Sequence, residues 1–347
     1  MRILFSSHVF APSVGGIETV SRLLADEFAR QGHEVRLITQ TPGPASHDAD
    51  YRVHRRPSAK LLLEAARWCD VFFHNNISLP RAWPLLLVRR PWVIAHHTWI
   101  PESGLAARLK RRALRYADGC ISISNAVASH LETPSQIIPN AYDDSLFRTL
   151  AGVERTRDVV FLGRLVSDKG ADLLVSALVR LASEGYRPTA TIVGEGPEEA
   201  GLRAYVQSAG LSSTVTFAGS RRGPELVQLL NQHRVLVIPS RWQEPFGVVA
   251  LEGIASGCVV IGSSGGGLPD AIGACGEVFP NGNSNALASL LAGVLRDPAR
   301  YTALRRGAER HLSRHSRAQV ASEYLNVFAR ALTSSATRNR TPGYSDV

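Results

Sequence analysis

Short, mostly apolar runs alternate with longer stretches whose apolar residues recur at helical spacing, and this alternation breaks once and then restarts. Runs at 2–6, 35–39, 71–74, 92–96 and 120–123 read as strands. They are continuously apolar rather than alternating, which marks parallel strands covered on both faces. Between the first two, Ile17, Val20, Leu23, Leu24 and Phe28 share one helical face, and Gly32 supplies a C-cap. A polar stretch at 139–157 interrupts the pattern. Strands are then predicted at 159–162, 189–193, 215–217, 235–238 and 259–261, with helices at 171–183, 198–208, 224–232 and 247–255. Residues 286–332 read as helical, and 334–347 as an unstructured tail. The fold class is therefore α/β, with two successive doubly wound domains of parallel strands, 1–150 and 151–333. The last helix is free to pack back on the first domain. Two open sheets facing each other make a cleft at the carboxyl ends of their strands, where such sheets bind ligands. Residues just after strands are accordingly the candidates for function.

Composition narrows the class. A chain of 347 residues with 44% hydrophobic and 20% charged residues is globular, not disordered, collagenous or coiled-coil. No apolar run approaches the roughly 20 residues that span a bilayer. Residues 1–7 hold too short an apolar stretch for a signal peptide, so a cytoplasmic chain is expected. Cys69, Cys120, Cys258 and Cys275 form no C-x-x-C, which speaks against a zinc knuckle or redox pair. Cys120 and Cys258 sit in apolar runs and are expected to be buried and reduced. The net charge of +9 is uneven: residues 50–120 carry 13 Lys/Arg against five Asp/Glu. A basic face suits nucleic acid, an anionic membrane or phosphorylated ligands, and composition does not choose among them.

Several strand-end segments carry chemistry. Gly15-Gly16 opens the first helix, where adjacent glycines admit a ligand to the backbone and free N–H groups face an anion. Arg164 and Lys169 flank the corresponding turn of the second domain, beginning at Gly163. A guanidinium fork and an ammonium point charge suit a diphosphate. Gly194-Glu195-Gly196-Pro197 begins like a dinucleotide fingerprint, but Glu199 replaces its third glycine. Glu244 precedes a helix and Glu252 lies within it, so both carboxylates are candidates to accept hydrogen bonds from sugar or ribose hydroxyls. Gly265-Gly266-Gly267 before Leu268 forms another backbone cradle for an anion. His96 and His97 end a strand, and alternation predicts one in the core and one in the cleft. Asp48-Ala49-Asp50 resembles a metal-binding D-x-D but follows no strand, and His311 and His315 read as a surface pair without a third ligand. No metal site is expected. A predicted helix at 105–117 places Leu105, Leu109 and Ala113 on one face and Arg108, Lys110, Arg111, Arg112 and Arg115 mostly elsewhere. It is either an ordinary amphipathic helix with a solvated basic face or a patch for anionic lipid or a phosphorylated acceptor.

Taken in order over about residues 1–330, these segments resemble the retaining glycosyltransferases of family 4, which have the GT-B fold of two Rossmann-like domains. Gly15-Gly16-x-Glu18 is similar to the family's N-terminal glycine loop, and His97 to its strand-end histidine. Ile138-Pro139-Asn140-Ala141-Tyr142-Asp143 is similar to its interdomain segment, with Ala141 where glycine is commoner. Gly163-Arg164 with Lys169, Gly194-x-Gly196-Pro197, Glu244-Pro245-Phe246-Gly247 with Glu252, and Gly265-Gly266-Gly267-Leu268-Pro269 complete the resemblance. It implies that Arg164 and Lys169 bind the donor diphosphate and stabilise the leaving group. Glu244 would hold sugar hydroxyls and Glu252 ribose hydroxyls. Gly266 and Gly267 would offer N–H groups, His97 would face the donor sugar, and Gly16 would approach the diphosphate. The implied donor-binding set is Gly15, Gly16, Gly163, Gly194, Gly196, Phe246, Gly247, Glu252, Gly266, Gly267 and Leu268, beside catalytic His97, Arg164, Lys169 and Glu244.

The resemblance thus implies transfer of a hexose-type sugar from a nucleotide-diphosphate donor to a glycan or lipid-linked acceptor, without cofactor, metal or nucleic acid. Arg108, Lys110, Arg111, Arg112 and Arg115 would offer a contact to an anionic membrane, placing the enzyme peripherally on its inner face. A nucleotide-sugar epimerase on the same fold and a non-catalytic nucleotide- or carbohydrate-binding protein are the competing readings. A nicotinamide oxidoreductase lacks its full fingerprint, and a nucleic-acid binder leaves the strand-end glycines without a purpose.

Overall fold

A computed structural model describes residues 1–13, 15–43 and 50–338. The chain divides into two compact units. One holds Met1–Ala141 and the stretch from Arg317 onward, the other Tyr142–Ser316. The division lies before residue 150, and the C-terminal stretch joins the first unit.

In the first unit the elements run β1 (Arg2–Ser7), α1 (Gly16–Arg30), β2 (Glu34–Thr39), β3 (Arg52–Arg55), α2 (Ala59–Trp68), β4 (Val71–Asn75), α3 (Leu79–Ala82), β5 (Trp92–His96), α4 (Leu105–Leu114), β6 (Gly119–Ser122), α5 (Asn125–His130) and β7 (Gln136–Ile137). The strands pair in parallel in the order β3-β2-β1-β4-β5-β6-β7. β4 and β5 are buried along their whole length, which is why they read as unbroken apolar runs. Ser58 and Ser124 cap α2 and α5 with hydrogen bonds of 3.2 and 3.1 Å. β3 was not expected: of its four residues only Val53 is buried, so an edge strand of Arg and His carries no apolar signal.

The second unit runs β8 (Arg157–Leu162), α6 (Ala171–Ser183), β9 (Ala190–Val193), α7 (Glu199–Ser208), β10 (Val215–Gly219), α8 (Gly223–Asn231), β11 (His233–Ile238), α9 (Val248–Ala255), β12 (Val259–Ser263), α10 (Leu268–Ile272), β13 (Gly276–Phe279), α11 (Ser284–Arg296), α12 (Pro298–Arg305) and α13 (Ala308–Ser313). Its parallel sheet has the order β10-β9-β8-β11-β12-β13. Val159, Phe161, Ile192, Val235 and Val237 of the sheet pack with Leu174 and Leu178 of α6 and Leu291 and Val294 of α11. In each unit the strand order reverses once, at β1/β4 and at β8/β11. Such reversals open a crevice beyond the carboxyl ends of the strands.

The region expected to be one helical stretch breaks where Asp297 caps α12 ahead of Pro298 and where Gly307 precedes α13. The last helix, α14 (Arg317–Arg338), returns to the first unit. Its Tyr324 and Phe328 join an aromatic cluster with Phe5, Phe28 and Phe73, with Phe73 ring centroids 5.6 Å from Tyr324 and 5.1 Å from Phe328. Because α14 runs to Arg338, residues 334–338 of the expected tail are helical, and 339–347 lie outside the described residues. All four cysteines are buried and free. No described helix is long and apolar enough to cross a membrane.

Candidate active site

In the second unit the crevice between β8 and β11 gathers the charged residues singled out in the sequence. Beyond β8 a 3-10 turn at Ser167–Lys169 leads into α6. Beyond β11 the chain passes through residues 239–247 before entering α9. Lys169 Nζ stands 2.5 Å from Glu244 Oε1, and Ser240 Oγ donates to the same oxygen at 2.7 Å. The side chains of Lys169 and Glu244 are 25% and 15% exposed, so the pair lies partly withdrawn from water. The two loops are sewn together: the N–H groups of Arg241 and Trp242 donate to Asp168 O at 2.8 and 3.1 Å. Arg241 closes a bidentate fork on Asp172 at 2.7 and 2.6 Å. Gly170 has a φ of +68°, and a Cβ there would lie 2.1 Å from Pro239 O, so only glycine permits this approach. Arg164, after β8, is exposed and pairs with no carboxylate among the described residues.

The glycine turns serve this frame. Gly194 has a φ of +138° and a Cβ there would lie 1.8 Å from Gly163 O; at Gly196 it would meet Leu165 O at 2.3 Å. Both glycines therefore let the turns after β8 and β9 lie backbone against backbone, joined by Gly163 N–H to Val193 O and Leu165 N–H to Glu195 O. The loop after β12 grips Glu244: a parallel bridge pairs Glu244 with Gly266, and Gly267 N–H donates to Glu244 O at 2.7 Å. Gly247 begins α9 at a φ of +105°. Phe246 and Leu268 are buried. Glu252 lies on α9, half-buried. Burial, reinforced by Asp143, pushes its carboxyl up to about 7.

In the first unit Gly15 caps α1 with extended backbone, and a Cβ there would run into the Glu18 carboxylate. Gly16 is exposed with nothing packed on its Cα, so its backbone is open. His96 and His97 are both buried. β5 ends at His96, so strand alternation does not govern His97. Asn76 Oδ1 accepts from His97 N–H at 2.8 Å, and Tyr324 Oη lies 3.5 Å from His97 Nε2. Burial first, then the neighbouring His96, holds His97 down to about 3; burial and the charge of Lys110 hold His96 down to about 4. Both imidazoles are neutral at pH 7.

Other expectations resolve differently. His315 is buried, its ring centroid 4.7 Å from that of His311 and 5.7 Å from that of Phe246 with the rings tilted, so the two histidines are not a surface pair. Asp48 lies outside the described residues. On α4 the buried residues are Ala107 and Leu114, while Leu105 and Leu109 are exposed. The sequence reading missed Ser240, whose only signal was its place just after a strand. It also missed the Arg241–Asp172 fork and Ser263, whose Oγ donates to Ser240 O at 2.7 Å.

The comparisons with known proteins meet this geometry. The family model for glycosyl transferases group 1 matches residues 144–311, and that for glycosyltransferase family 4 matches residues 14–146. The chain belongs to the group 1 glycosyltransferases with the GT-B fold. This glycosyltransferase is 26% identical to a glycogen synthase of Mycobacterium tuberculosis over 90% of both chains. It is 31% identical to a 2-deoxystreptamine glucosyltransferase of Streptomyces kanamyceticus over 59% of its own length and 58% of the relative's. In fold it is similar to Anabaena HepE, whose structure was solved with UDP, at a TM-score of 0.80 and 21% identity, covering 95% of this chain and all of the other.

Proposed function

We propose that the chain is a retaining hexosyl- or hexosaminyltransferase. It moves a sugar from a nucleotide-diphosphate donor to a hydroxyl of a glycan or lipid-linked acceptor. The Lys169–Glu244–Ser240 arrangement at the β8/β11 crevice carries this reading, with exposed Arg164 in the turn after β8. Breaking a sugar–phosphate bond leaves positive charge on the sugar and a diphosphate anion. Lys169 and Arg164 neutralise that anion from fixed positions as the charge develops. Glu244 Oε1 is held by Lys169 and Ser240, which leaves Oε2 to take a sugar hydroxyl. Glu252 takes the ribose hydroxyls, and the N–H groups of the Gly266–Gly267 turn meet phosphate or sugar. His97 serves the donor sugar as a neutral polar group, in keeping with its depressed basicity. These residues offer cations where a bound metal would otherwise neutralise the diphosphate, so the reading needs no metal. Attack and departure on the same face of the sugar account for retention without an enzyme nucleophile. The 2-deoxystreptamine glucosyltransferase relative and the UDP complex of HepE support the donor class. Thermal shift against UDP-, GDP-, ADP- and dTDP-sugars, with NAD and NADP as controls, tests the reading. A donor at a hundred times its Kd adds about 2.7 kcal/mol. A shift with NAD or NADP alone overturns it, and release of an altered nucleotide sugar instead of free nucleotide diphosphate favours an epimerase.

A second reading concerns location. Leu86, Leu87, Leu105, Leu109 and Tyr116 are exposed large apolar residues. Leu86, Arg89, Arg90 and Tyr116 help line a groove of about 830 Å³. Leu105 and Leu109 share α4 with Arg108, Lys110, Arg111 and Arg112, and Arg115 follows at its end. Apolar side chains among arginines suit an anionic bilayer surface. On this reading the enzyme docks on the inner face of the membrane to reach a lipid-linked acceptor. Flotation on anionic vesicles, abolished in a variant with Leu105→Ser and Leu109→Ser, is the expected result; flotation unchanged in that variant removes the reading.

A further inference from the structure

The first unit has its own crevice, where the strand order reverses between β1 and β4. His8 follows β1, and Arg81 lies on α3 just after β4. Arg81 is a guanidinium only 7% exposed. Its hydrogen bonds go to Ser78 Oγ at 3.0 Å and His8 Nδ1 at 3.0 Å, and its Nε has no partner. No carboxylate pairs with Arg81 or with Lys110 among the described residues. This departs from the second unit, where the crevice cation Lys169 has Glu244. A buried charge without a counter-charge is costly, and folded proteins keep one where an anion repays it. Because Arg81 donates to Nδ1, His8 is neutral and carries its proton on Nε2. The charges of Arg81 and Lys110 both depress His8, Lys110 also depresses His96, and no acid opposes them on either ring. The crevice therefore holds a buried guanidinium and an imidazole donor, with no carboxylate paired to Arg81 among the described residues.

We propose that Arg81 and His8 form a binding site for a phosphomonoester carried by the acceptor. The inference rests on the glycosyltransferase reading for the word acceptor, but the anion site stands on its own geometry. A guanidinium edge and an imidazole N–H suit the oxygens of a tetrahedral dianion. The phosphate anchors the acceptor beyond β1 and β4, and transfer goes to one of that acceptor's hydroxyls.

The test is titration of the full chain with glucose 6-phosphate, glucose and the soluble lipid phosphate dihexanoyl phosphatidic acid, at low ionic strength. Protein labelled with 15N-arginine reports the Arg81 Nε–H signal, assigned from Arg81→Lys. Both phosphates are expected to bind and shift that signal, and glucose to do neither. A preference for one phosphate identifies a soluble or a lipid source. Arg81→Gln should weaken glucose 6-phosphate binding about tenfold or more, with partial recovery in Arg81→Lys. If Arg81→Gln does not fold, the wild-type signal and Ser78→Ala, which frees one Arg81 N–H, carry the test. Absence of phosphate binding, binding unchanged by loss of the guanidinium, or displacement of the phosphate from Arg81 by UDP each overturns the proposal. Nucleotide-sugar binding, followed separately by thermal shift, tests the transferase reading. Its failure alongside intact phosphate binding refutes that reading and leaves the anion site in place.

Discussion

Glu244 and Lys169 hold each other, so removing either disturbs charge more than shape. Glu244→Gln keeps the hydrogen bond from Ser240 but loses the counter-charge to Lys169. Turnover should fall about a hundredfold or more, as when one preorganised group is lost from a transition-state clamp. Steady-state release of nucleotide diphosphate checks this; a wild-type rate removes Glu244 from the site. Lys169→Ala should fall as far while remaining folded, as judged by its melting curve. Glu252 makes a different prediction. Its carboxyl titrates near 7 in the folded chain against an ordinary 4.5, so ionisation opposes folding. That cost is absent below pH 4.5, grows up to about 7 and is constant above. Glu252→Gln should therefore gain stability over the wild type at pH 8, by up to roughly 3 kcal/mol, and gain little at pH 4.5. Urea unfolding of both proteins at the two pH values measures the difference.

At the scale of elements, the turns after β8 and β9 depend on backbone contact. Gly194→Ala places a Cβ against Gly163 O in a backbone region closed to L-residues, and should cost about 2 kcal/mol or more. Denaturant midpoints test it. The doubly wound pattern was legible because β4, β5, β8 and β11 are buried on both faces and read as apolar runs. β3 was not, since Arg52, His54 and Arg55 flank a single buried valine at a sheet edge. β13 was not either: Gly276 and Glu277 break its apolar run, and Glu277 is held there by Arg300 at 2.8 and 2.5 Å. For the site, Lys169 and Glu244 stood in a recognisable order, whereas one hydroxyl such as Ser240 has no sequence signature. Arg81 resembles any solvated arginine until burial is known. On α4 the spacing says that Leu105 and Leu109 share a face, not whether anything covers it, and both are exposed.

Across the whole molecule, the first unit carries three buried neutral histidines. His74 is held down to about 3, His96 to about 4 and His97 to about 3, chiefly by burial. In the unfolded chain each titrates near 6.5, so below that pH the unfolded state binds protons that the folded state refuses. Stability is full above pH 6.5 and falls as pH drops toward 4, by at most about 4 kcal/mol per pH unit for the three together. A melting temperature much lower at pH 5 than at pH 7 is expected, and an unchanged one would refute the burial of neutral rings. Phe328 ties α14 to Phe28 and Phe73, and Phe328→Ala should cost about 3–5 kcal/mol by denaturant unfolding. That same helix sets an order of birth. On the ribosome, strands β1 to β7 emerge before any of the second unit, yet the aromatic cluster that seals their sheet waits for Tyr324 and Phe328. The unit translated first is thus the one completed last. Until then its open sheet face is a surface for chaperones to hold, and a released chain ending at Ser316 would carry all of the second unit beside a first unit that lacks α14.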